Sequence, residues 1–284
     1  MLLLSGTDFS PASIDAATIA ALWSRRTGAP LHLIHAVPGT THLHSAREEL
    51  ARESQRLAGL GATLAAADLV SGDPQQVLAE EATARNATLV VLGAVGAGGR
   101  RGHWAGSTAD RTARDAAVPV MLVRERFALE SWLLGVAPLK VLVGFERDTS
   151  SLGALAWVGA LMAYGAVEPR VLHLVLPGAE NREVHATGPG RGFRLTPEAR
   201  IHVEAELRAA VTPILGEGVG QLSVLEALGR KDMPLVGAAE ELGAALLVIG
   251  SHQRHGFQRW WNGSVSSGVL HAATTNVVVV PSRG

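Results

Sequence analysis

One short pattern occurs twice along this chain, and it limits the folds that the chain can adopt. In each copy an apolar run leads into a loop with the spacing G-x2-G/Q-x9-G-S. The first copy follows residues 89–92 and the second follows residues 246–249. Because the spacing is the same, we predict that the chain contains two copies of one domain. The positions are Gly93, Gly96, Gly106 and Ser107 in the first copy and Gly250, Gln253, Gly263 and Ser264 in the second.

A buried strand that opens into a glycine-rich loop and then a helix is a common way to hold phosphate groups. Glycines let the backbone approach an anion closely, and the first turn of the helix offers N–H groups at its positive dipole end. The pattern therefore predicts a nucleotide or a similar anion in at least one copy. The plainer alternative, that these glycines serve only as turn residues, stays open on the sequence.

The amino-acid composition favours a parallel α/β fold and excludes several classes of site. The 284 residues suit two domains of about 140 residues each. Hydrophobic residues make up 47% of the chain and aromatic residues only 4%, which indicates a core of Ala, Val and Leu around strands buried on both faces. The chain has no cysteine, so disulfides, thiol catalysis and cysteine-ligated zinc are excluded.

Charge and hydropathy give no reason to expect a nucleic-acid or membrane partner. The net charge of −1 provides no overall field for either. Residues 1–8 lack the basic region and the long apolar stretch of a signal peptide. No uninterrupted apolar run approaches the length of about 18 residues that a membrane span needs. We therefore expect a soluble, cytoplasmic protein.

Strand and helix patterns alternate along both halves, which predicts parallel sheets with right-handed crossovers. We place the domains at residues 1–124 and 139–284, joined by a helical linker at 125–138 that packs on the body. Residues 177–195, rich in Gly, Pro and charge, are predicted to form a mobile insertion loop. The predicted strands are 2–5, 31–37, 62–70, 89–92 and 119–123 in the first half, and 141–143, 171–176, 221–228, 246–249 and 277–280 in the second.

An acidic residue follows the first predicted strand, close to where a parallel α/β sheet binds its ligands. Such sheets bind at the carboxyl ends of their strands, where the strand order reverses. If the first and fourth strands are neighbours, Asp8 and the loop after Gly93 face one crevice. A carboxylate there suits a ribose hydroxyl or an adenine amino group, since both can donate a hydrogen bond.

Together these motifs resemble those of a tandem universal stress protein, and the resemblance covers nearly the whole chain. It depends on Asp8, the helix start Gly72-Asp73-Pro74, the first glycine loop, and the apolar ends of both halves. The resemblance implies two tandem, doubly wound, open parallel sheets of five strands, similar to adenine nucleotide alpha hydrolases, with strand order 3-2-1-4-5. It also implies that residues 120–123 pair with 277–280, so that the halves pack as a pseudo-dimer; Pro119 is permitted at the start of such an edge strand.

The resemblance further implies an ATP-binding, stress-response protein that acts as a nucleotide-dependent regulator or binds a protein partner. It implies no enzyme activity beyond slow ATP hydrolysis, and a homodimer of the two-domain chain is compatible with it. We expect Mg²⁺ to accompany ATP, since phosphate charge is normally neutralised in this way. The residues carried over to the first site are Asp8, Val37, Gly93, Gly96, Gly106, Ser107 and Thr108.

The second half departs from the pattern, and we predict that its site is degenerate or altered. Gln253 replaces the middle glycine, and either Glu146 or Arg147 stands where Asp8 stands in the first half. The pair Trp260-Trp261 lies inside the second loop, where it fills space or covers a ligand. The second site would comprise Gly250, Gln253, Gly263, Ser264 and Val265.

The sequence leaves open two alternatives to an ATP-binding regulator, and it also bears on a metal site. A nucleotide-independent interaction module is the first rival, and an ATP pyrophosphatase-type enzyme is the second, suggested by the segment 5–10. No metal site is expected, because His32 and His35 lie on opposite faces of one strand. Cationic residues in the two glycine loops are expected near phosphates; they are Arg100, Arg101, His103, His252, Arg254, His255 and Arg259.

Overall fold

The computed structural model is a ten-stranded sheet covered by helices on both faces. It describes residues 1–39, 43–96, 105–176, 195–216, 222–227, 229–251 and 265–282. The predicted insertion loop therefore lies outside the described residues except for Leu195. The elements of the first half are β1 (Leu3–Gly6), α1 (Pro11–Thr27), β2 (Leu31–Val37), α2 (Leu43–Gly59), β3 (Leu64–Ser71), α3 (Pro74–Ala84), β4 (Leu89–Gly93), α4 (Ser107–Asp115) and β5 (Val120–Val123).

The second half repeats this order after a short connecting helix. That helix is α5 (Phe127–Leu133), and its residues Leu129, Trp132 and Leu133 are buried. The remaining elements are β6 (Leu139–Phe145), α6 (Thr149–Leu161), β7 (Val167–Val175), α7 (Pro197–Leu215), β8 (Leu222–Glu226), α8 (Asp232–Leu242), β9 (Leu246–Ser251), α9 (Val265–Ala272) and β10 (Asn276–Pro281).

The sheet order confirms the predicted fold class. The strands run β3-β2-β1-β4-β5-β10-β9-β6-β7-β8, so each half has the order 3-2-1-4-5, counted from its own first strand. All pairs within a half are parallel. The two halves join through one antiparallel pair, β5 with β10, in which Met121 lies opposite Val278. The predicted pairing of the last strands is therefore present, and it makes one continuous sheet.

Local sequence signals explain where several helices begin and end. Ser10 caps α1 by accepting the N–H of Ser13, and Pro11 occupies the first turn, where its missing N–H costs nothing. Gly28 ends this helix in the left-handed conformation, with φ at 72°. Asp73 caps α3 in the same way through the N–H of Gln75.

One strand of the second half begins earlier than predicted. β7 starts at Val167 rather than at 171, and it includes Pro169, which usually interrupts a strand. Among the described residues β8 pairs with β7 only from Val171 onward, so the stretch before it pairs there with β6 alone. A proline is tolerated where a strand needs no ladder on its other side.

The core lies on both faces of the sheet, as the aliphatic composition predicts. One cluster packs α1, α2, α5, α6 and α7 against one face, and a second packs α3, α4, α8 and α9 against the other. Near the join of the halves, Trp23 of α1 contacts Trp132 of α5 and Trp157 of α6, with ring centroids 5.5 and 6.2 Å apart. Within the described residues no helix combines the length and the apolar content that crossing a bilayer requires.

Candidate functional site

The crevice in the first half lies between the carboxyl ends of β1 and β4. These strands are neighbours, with Ser5 opposite Val91, so the strand order reverses between them. Asp8 follows β1 and Gly96 follows β4. A Cβ atom added to Gly96 would lie 2.9 Å from Asp8 Oδ2, so the loop backbone passes directly over the carboxylate. The structure thus brings together the two features that the sequence predicted to share a crevice.

The carboxylate of Asp8 is held by the start of α1. Its Oδ1 accepts hydrogen bonds from the backbone N–H of Ser10 at 3.1 Å and from Ser10 Oγ at 2.5 Å. The Asp8 N–H donates to Ser13 Oγ at 3.3 Å. These bonds orient the carboxyl group so that its Oδ2 faces Gly96. The contact of Ser10 with Asp8 is not evident from the sequence.

The turn before α1 depends on an unusual backbone conformation. Phe9 has φ at +59°, which L residues rarely adopt, and its N–H donates to Thr7 Oγ1 at 3.1 Å. Its ring lies against His35, with centroids 4.5 Å apart, and His35 Nδ1 lies 2.7 Å from the Thr7 carbonyl oxygen. His35 therefore fixes the end of β1 from the neighbouring strand β2. Sequence spacing considers His35 only as a metal ligand and does not reveal this contact.

Gly93 is required by helix packing at the end of β4. A Cβ on Gly93 would lie 2.7 Å from the carbonyl carbon of Ala12, in the first turn of α1. Gly250 has the same surroundings in the second half, where its Cβ would lie 2.4 Å from the carbonyl carbon of Ser150. The first glycine of each copy therefore lets a helix pack against a strand end. The sequence offered a phosphate contact or a turn as the reason for this glycine, and helix packing is a third.

Gly96 and Gly106 lie close together beside the crevice. Nine residues separate them in the sequence, yet a Cβ on Gly106 would lie 3.4 Å from the backbone nitrogen of Gly96. Gly106 has φ at −65°, which any residue can adopt, and its N–H donates to the Ala94 carbonyl at 2.7 Å. Because Gly106 has no side chain, it does not itself cover the backbone of Gly96.

The first turn of α4 opens directly after this glycine. Ser107 and Thr108 are its first two residues, and Gly106, as the capping residue, provides no side-chain hydrogen bond to them. Because the first N–H groups of a helix need acceptors outside it, this turn can receive an anion. Asp110, also in this turn, is paired with Arg114 at 2.9 Å, which offsets its negative charge.

Val37 ends β2, the strand on the other side of β1. Its carbonyl oxygen accepts the N–H of Gly72 at 3.0 Å. The carbonyl oxygen keeps a second lone pair, so a nucleoside contact through this backbone would be shared with Gly72. No described contact joins Val37 to Asp8 or to the glycine loop.

The second half resolves the alternative between Glu146 and Arg147. Arg147 has φ at +60° and directly precedes the capping residue Asp148, as Phe9 precedes Ser10. Glu146 therefore takes the place of Asp8. Its Oε1 lies 3.3 Å from Lys231 Nζ, whereas Arg147 pairs with Glu206 on α7.

Only part of the predicted second site is described. Gly250 is the penultimate residue of β9, and Val265 is the first residue of α9. Gln253, Gly263 and Ser264 lie outside the described residues, as do the loop cations and Trp260-Trp261. Among the described residues, no three His, Asp or Glu side chains are grouped so that they could hold a metal ion. His32 Nε2 lies 2.9 Å from Asp68 Oδ2 on the neighbouring strand.

The comparisons with known proteins agree with this architecture. A universal stress protein from Archaeoglobus fulgidus DSM 4304 matches 99% of this chain and 98% of its own, at 16% identity and a TM-score of 0.71. A functionally unknown protein from Pseudomonas aeruginosa PAO1 matches 99% of this chain and 92% of its own, at 18% identity and a TM-score of 0.65. A universal stress protein in complex with cAMP matches 43% of this chain and 95% of its own, at 27% identity and a TM-score of 0.38.

Sequence comparison gives the family directly. No curated protein matches the chain significantly. The sequence model of the Universal stress protein family matches twice, at residues 2–124 and at residues 139–281. These two matches cover both halves of the sheet and leave out the segment that contains α5. The chain therefore belongs to the universal stress protein family and contains two of its domains in tandem.

Proposed function

We propose that the first half binds an adenine nucleotide, ATP with Mg²⁺, in the crevice between β1 and β4. The observation that carries the proposal is the position of Gly96, whose backbone passes over Asp8 Oδ2 and against which Gly106 places no side chain. In this arrangement Asp8 accepts a hydrogen bond from the nucleoside. The backbone of Gly96 and the first turn of α4 receive the phosphates.

The chemistry of Asp8 favours binding over turnover. Its Oδ1 already accepts two hydrogen bonds from Ser10, which stabilise the ionised carboxylate and keep it in one orientation. Such a group is suited to accept a bond from a ligand hydroxyl or amine. We therefore propose that the protein is not an enzyme, and that its role in a stress response is nucleotide-dependent regulation or the binding of a protein partner.

The test is a calorimetric titration of nucleotide-stripped protein with Mg-ATP. We expect one binding event per chain, and we expect Gly106→Val to abolish it, because the new side chain would cover the Gly96 backbone. The matched control is Gly59→Val at the end of α2, where an added Cβ meets nothing within 4 Å. Absence of heat at millimolar ATP in the wild type, or unchanged affinity in Gly106→Val, would exclude the proposal.

The two alternative functions from the sequence predict other results, one in the same titration and one in an assay of reaction products. A nucleotide-independent interaction module gives no binding to adenine nucleotides. A pyrophosphatase-type enzyme forms AMP and pyrophosphate from ATP when an acceptor is present, and chromatography of the reaction mixture detects both products. Ser5, in the segment that suggested this enzyme, donates its hydroxyl to the Val91 carbonyl at 3.1 Å and is buried.

The homodimer of the two-domain chain stays a prediction, which light scattering tests.

A further inference from the structure

The peptide group that joins Thr7 to Asp8 is held at both of its polar atoms. The regular pairing of β1 with β2 stops one residue earlier, at Gly6. The Thr7 carbonyl oxygen then lies 2.7 Å from His35 Nδ1, and because a carbonyl oxygen can only accept, Nδ1 donates. The N–H of Asp8 donates to Ser13 Oγ at 3.3 Å. The orientation of this peptide group is therefore fixed from β2 and from α1.

The imidazole of His35 also contacts the residue on the other side of Asp8. Its ring lies against the ring of Phe9, with centroids 4.5 Å apart, and Phe9 has the rare φ of +59°. Thr7 is buried, whereas Asp8 is exposed, so burial does not fix the side chain of Asp8. One histidine thus contacts both neighbours of the carboxylate that the proposed nucleotide site uses.

The second half repeats the histidine contact, but its serine hydroxyl makes a different bond. His173 Nδ1 lies 2.8 Å from the carbonyl oxygen of the residue before Glu146. Ser151 corresponds to Ser13, since each lies three residues after the capping residue of its helix. Its Oγ accepts the N–H of that capping residue at 3.2 Å, whereas Ser13 accepts the N–H of Asp8. His173 therefore offers a control in which the same histidine contact lies in the other half.

We propose that His35 is a positioning residue for nucleotide binding in the first half. The inference rests on the nucleotide site proposed above. By holding the Thr7 carbonyl and packing against Phe9, the imidazole fixes the backbone from which Asp8 extends. Ordering a binding group when the ligand arrives costs conformational entropy, and a group that is already oriented avoids this cost. His35 acts through Asp8 and needs no contact with the nucleotide.

The first experiment measures ATP affinity and stability in three variants. His35→Leu removes the donor and should weaken Mg-ATP binding at least about fivefold in calorimetry. His35→Asn places an amide N–H at the same bond separation from Cβ as imidazole Nδ1, and it should restore an affinity close to that of the wild type. His173→Leu is the matched control. It should lower the free energy of unfolding in urea at least as much as His35→Leu does, but it should leave the affinity unchanged.

The outcomes separate positioning from stability and from the proposed function. Wild-type affinity in His35→Leu, or equal weakening in His35→Leu and His173→Leu, overturns the inference and leaves the nucleotide site in place. An affinity as low in His35→Asn as in His35→Leu also overturns it, because the hydrogen bond would then not be what positions Asp8. Absence of ATP binding in the wild type rejects the proposed function and the inference together.

A second experiment tests whether His35 acts through Asp8. Asp8→Ala removes the acceptor for the nucleoside and should weaken ATP binding. Adding His35→Leu to Asp8→Ala should then cause no further loss, because there is no carboxylate left to position. A further loss as large as that of His35→Leu alone would overturn the inference, since the two side chains would then act independently.

A third measurement tests the hydrogen bond without any nucleotide. The ring ¹⁵N chemical shifts of His35 in the wild type report which nitrogen of the neutral imidazole carries the proton. We expect the proton on Nδ1, as its contact with the Thr7 carbonyl requires. A neutral ring protonated on Nε2 instead would overturn the inference.

Discussion

Phe9 and Arg147 occupy the same place in the two halves and share one rare backbone conformation, with φ at 59° and 60°. Each stands directly before the residue that caps the first helix of its half. This correspondence fixes the alignment of the halves at the crevice. It identifies Glu146, rather than Arg147, as the counterpart of Asp8. Both domains thus present a carboxylate at the strand end, and their difference lies in what surrounds it.

The packing of Gly93 and Gly250 gives the first prediction. Gly93→Ala and Gly250→Ala should each lower the free energy of unfolding by about 1–3 kcal/mol, because the new methyl group would overlap the backbone of α1 or α6. Denaturant unfolding measures the change. The control is Gly237→Ala inside α8, where a Cβ meets nothing within 4 Å. That variant should gain roughly 0.5–1 kcal/mol from helix propensity. Equal effects at Gly93 and Gly237 would contradict the packing argument.

Much of the fold could be predicted from the sequence because its signals are local. Ser10, Gly28 and Asp73 act at helix ends through contacts within a few residues, so their roles follow from residue type and spacing. The strand order followed from the resemblance to a known family. The early start of β7 could not be predicted, because Pro169 usually interrupts a strand and its pairing with Val141 of β6 is a long-range contact.

The candidate site was predicted less completely, since its details depend on long-range contacts. Asp8 and Gly96 follow separate strands, so the sequence predicts that they lie close together only if those strands are neighbours. Position 93 has no room for a side chain because it lies against the backbone of Ala12, and spacing alone does not reveal this contact. The approach of Lys231 to Glu146 joins distant segments and left no recognisable signal in the sequence.

The bond between Ser10 and Asp8 gives the second prediction. Ser10→Ala should lower stability by about 1 kcal/mol through loss of the helix cap, and it should weaken ATP binding about fivefold because Asp8 is no longer held. The control is Asp73→Ala, which removes the cap of α3. It should cost similar stability but leave the affinity unchanged. Calorimetry and urea unfolding measure the two effects. If both variants bound ATP like the wild type, Ser10 would be a cap only.

The join between the halves gives the third prediction. Asn276 is 1% exposed, and its Oδ1 accepts the N–H groups of Arg124 and Glu125 at 2.8 and 3.1 Å. Its Nδ2 donates to the Ala245 carbonyl at 2.8 Å. Asn276→Leu leaves these backbone groups without a partner and should cost roughly 2–3 kcal/mol in urea unfolding. The neighbouring exposed variant Thr274→Ala should cost far less. Similar losses in the two variants would show that the amide does not hold the join.

A buried cation at the same join gives the last prediction. Burial lowers the pKa of Arg124 to about 10, and its guanidinium donates to the Leu270 carbonyl on α9. Because the pKa is lower in the folded than in the unfolded state, the charge destabilises the fold at every pH below about 10. That cost is relieved as the pH rises above about 10, toward the higher pKa of an arginine in the unfolded chain. The free energy of unfolding of the wild type, relative to Arg124→Met, should therefore be constant between about pH 7 and 9 and increase above about pH 10.

Urea unfolding of both proteins at each pH measures this difference, in which the titration of all other groups cancels. A difference that stayed constant or fell above pH 10 would show that the charge of Arg124 is as well solvated in the folded protein as in the unfolded chain.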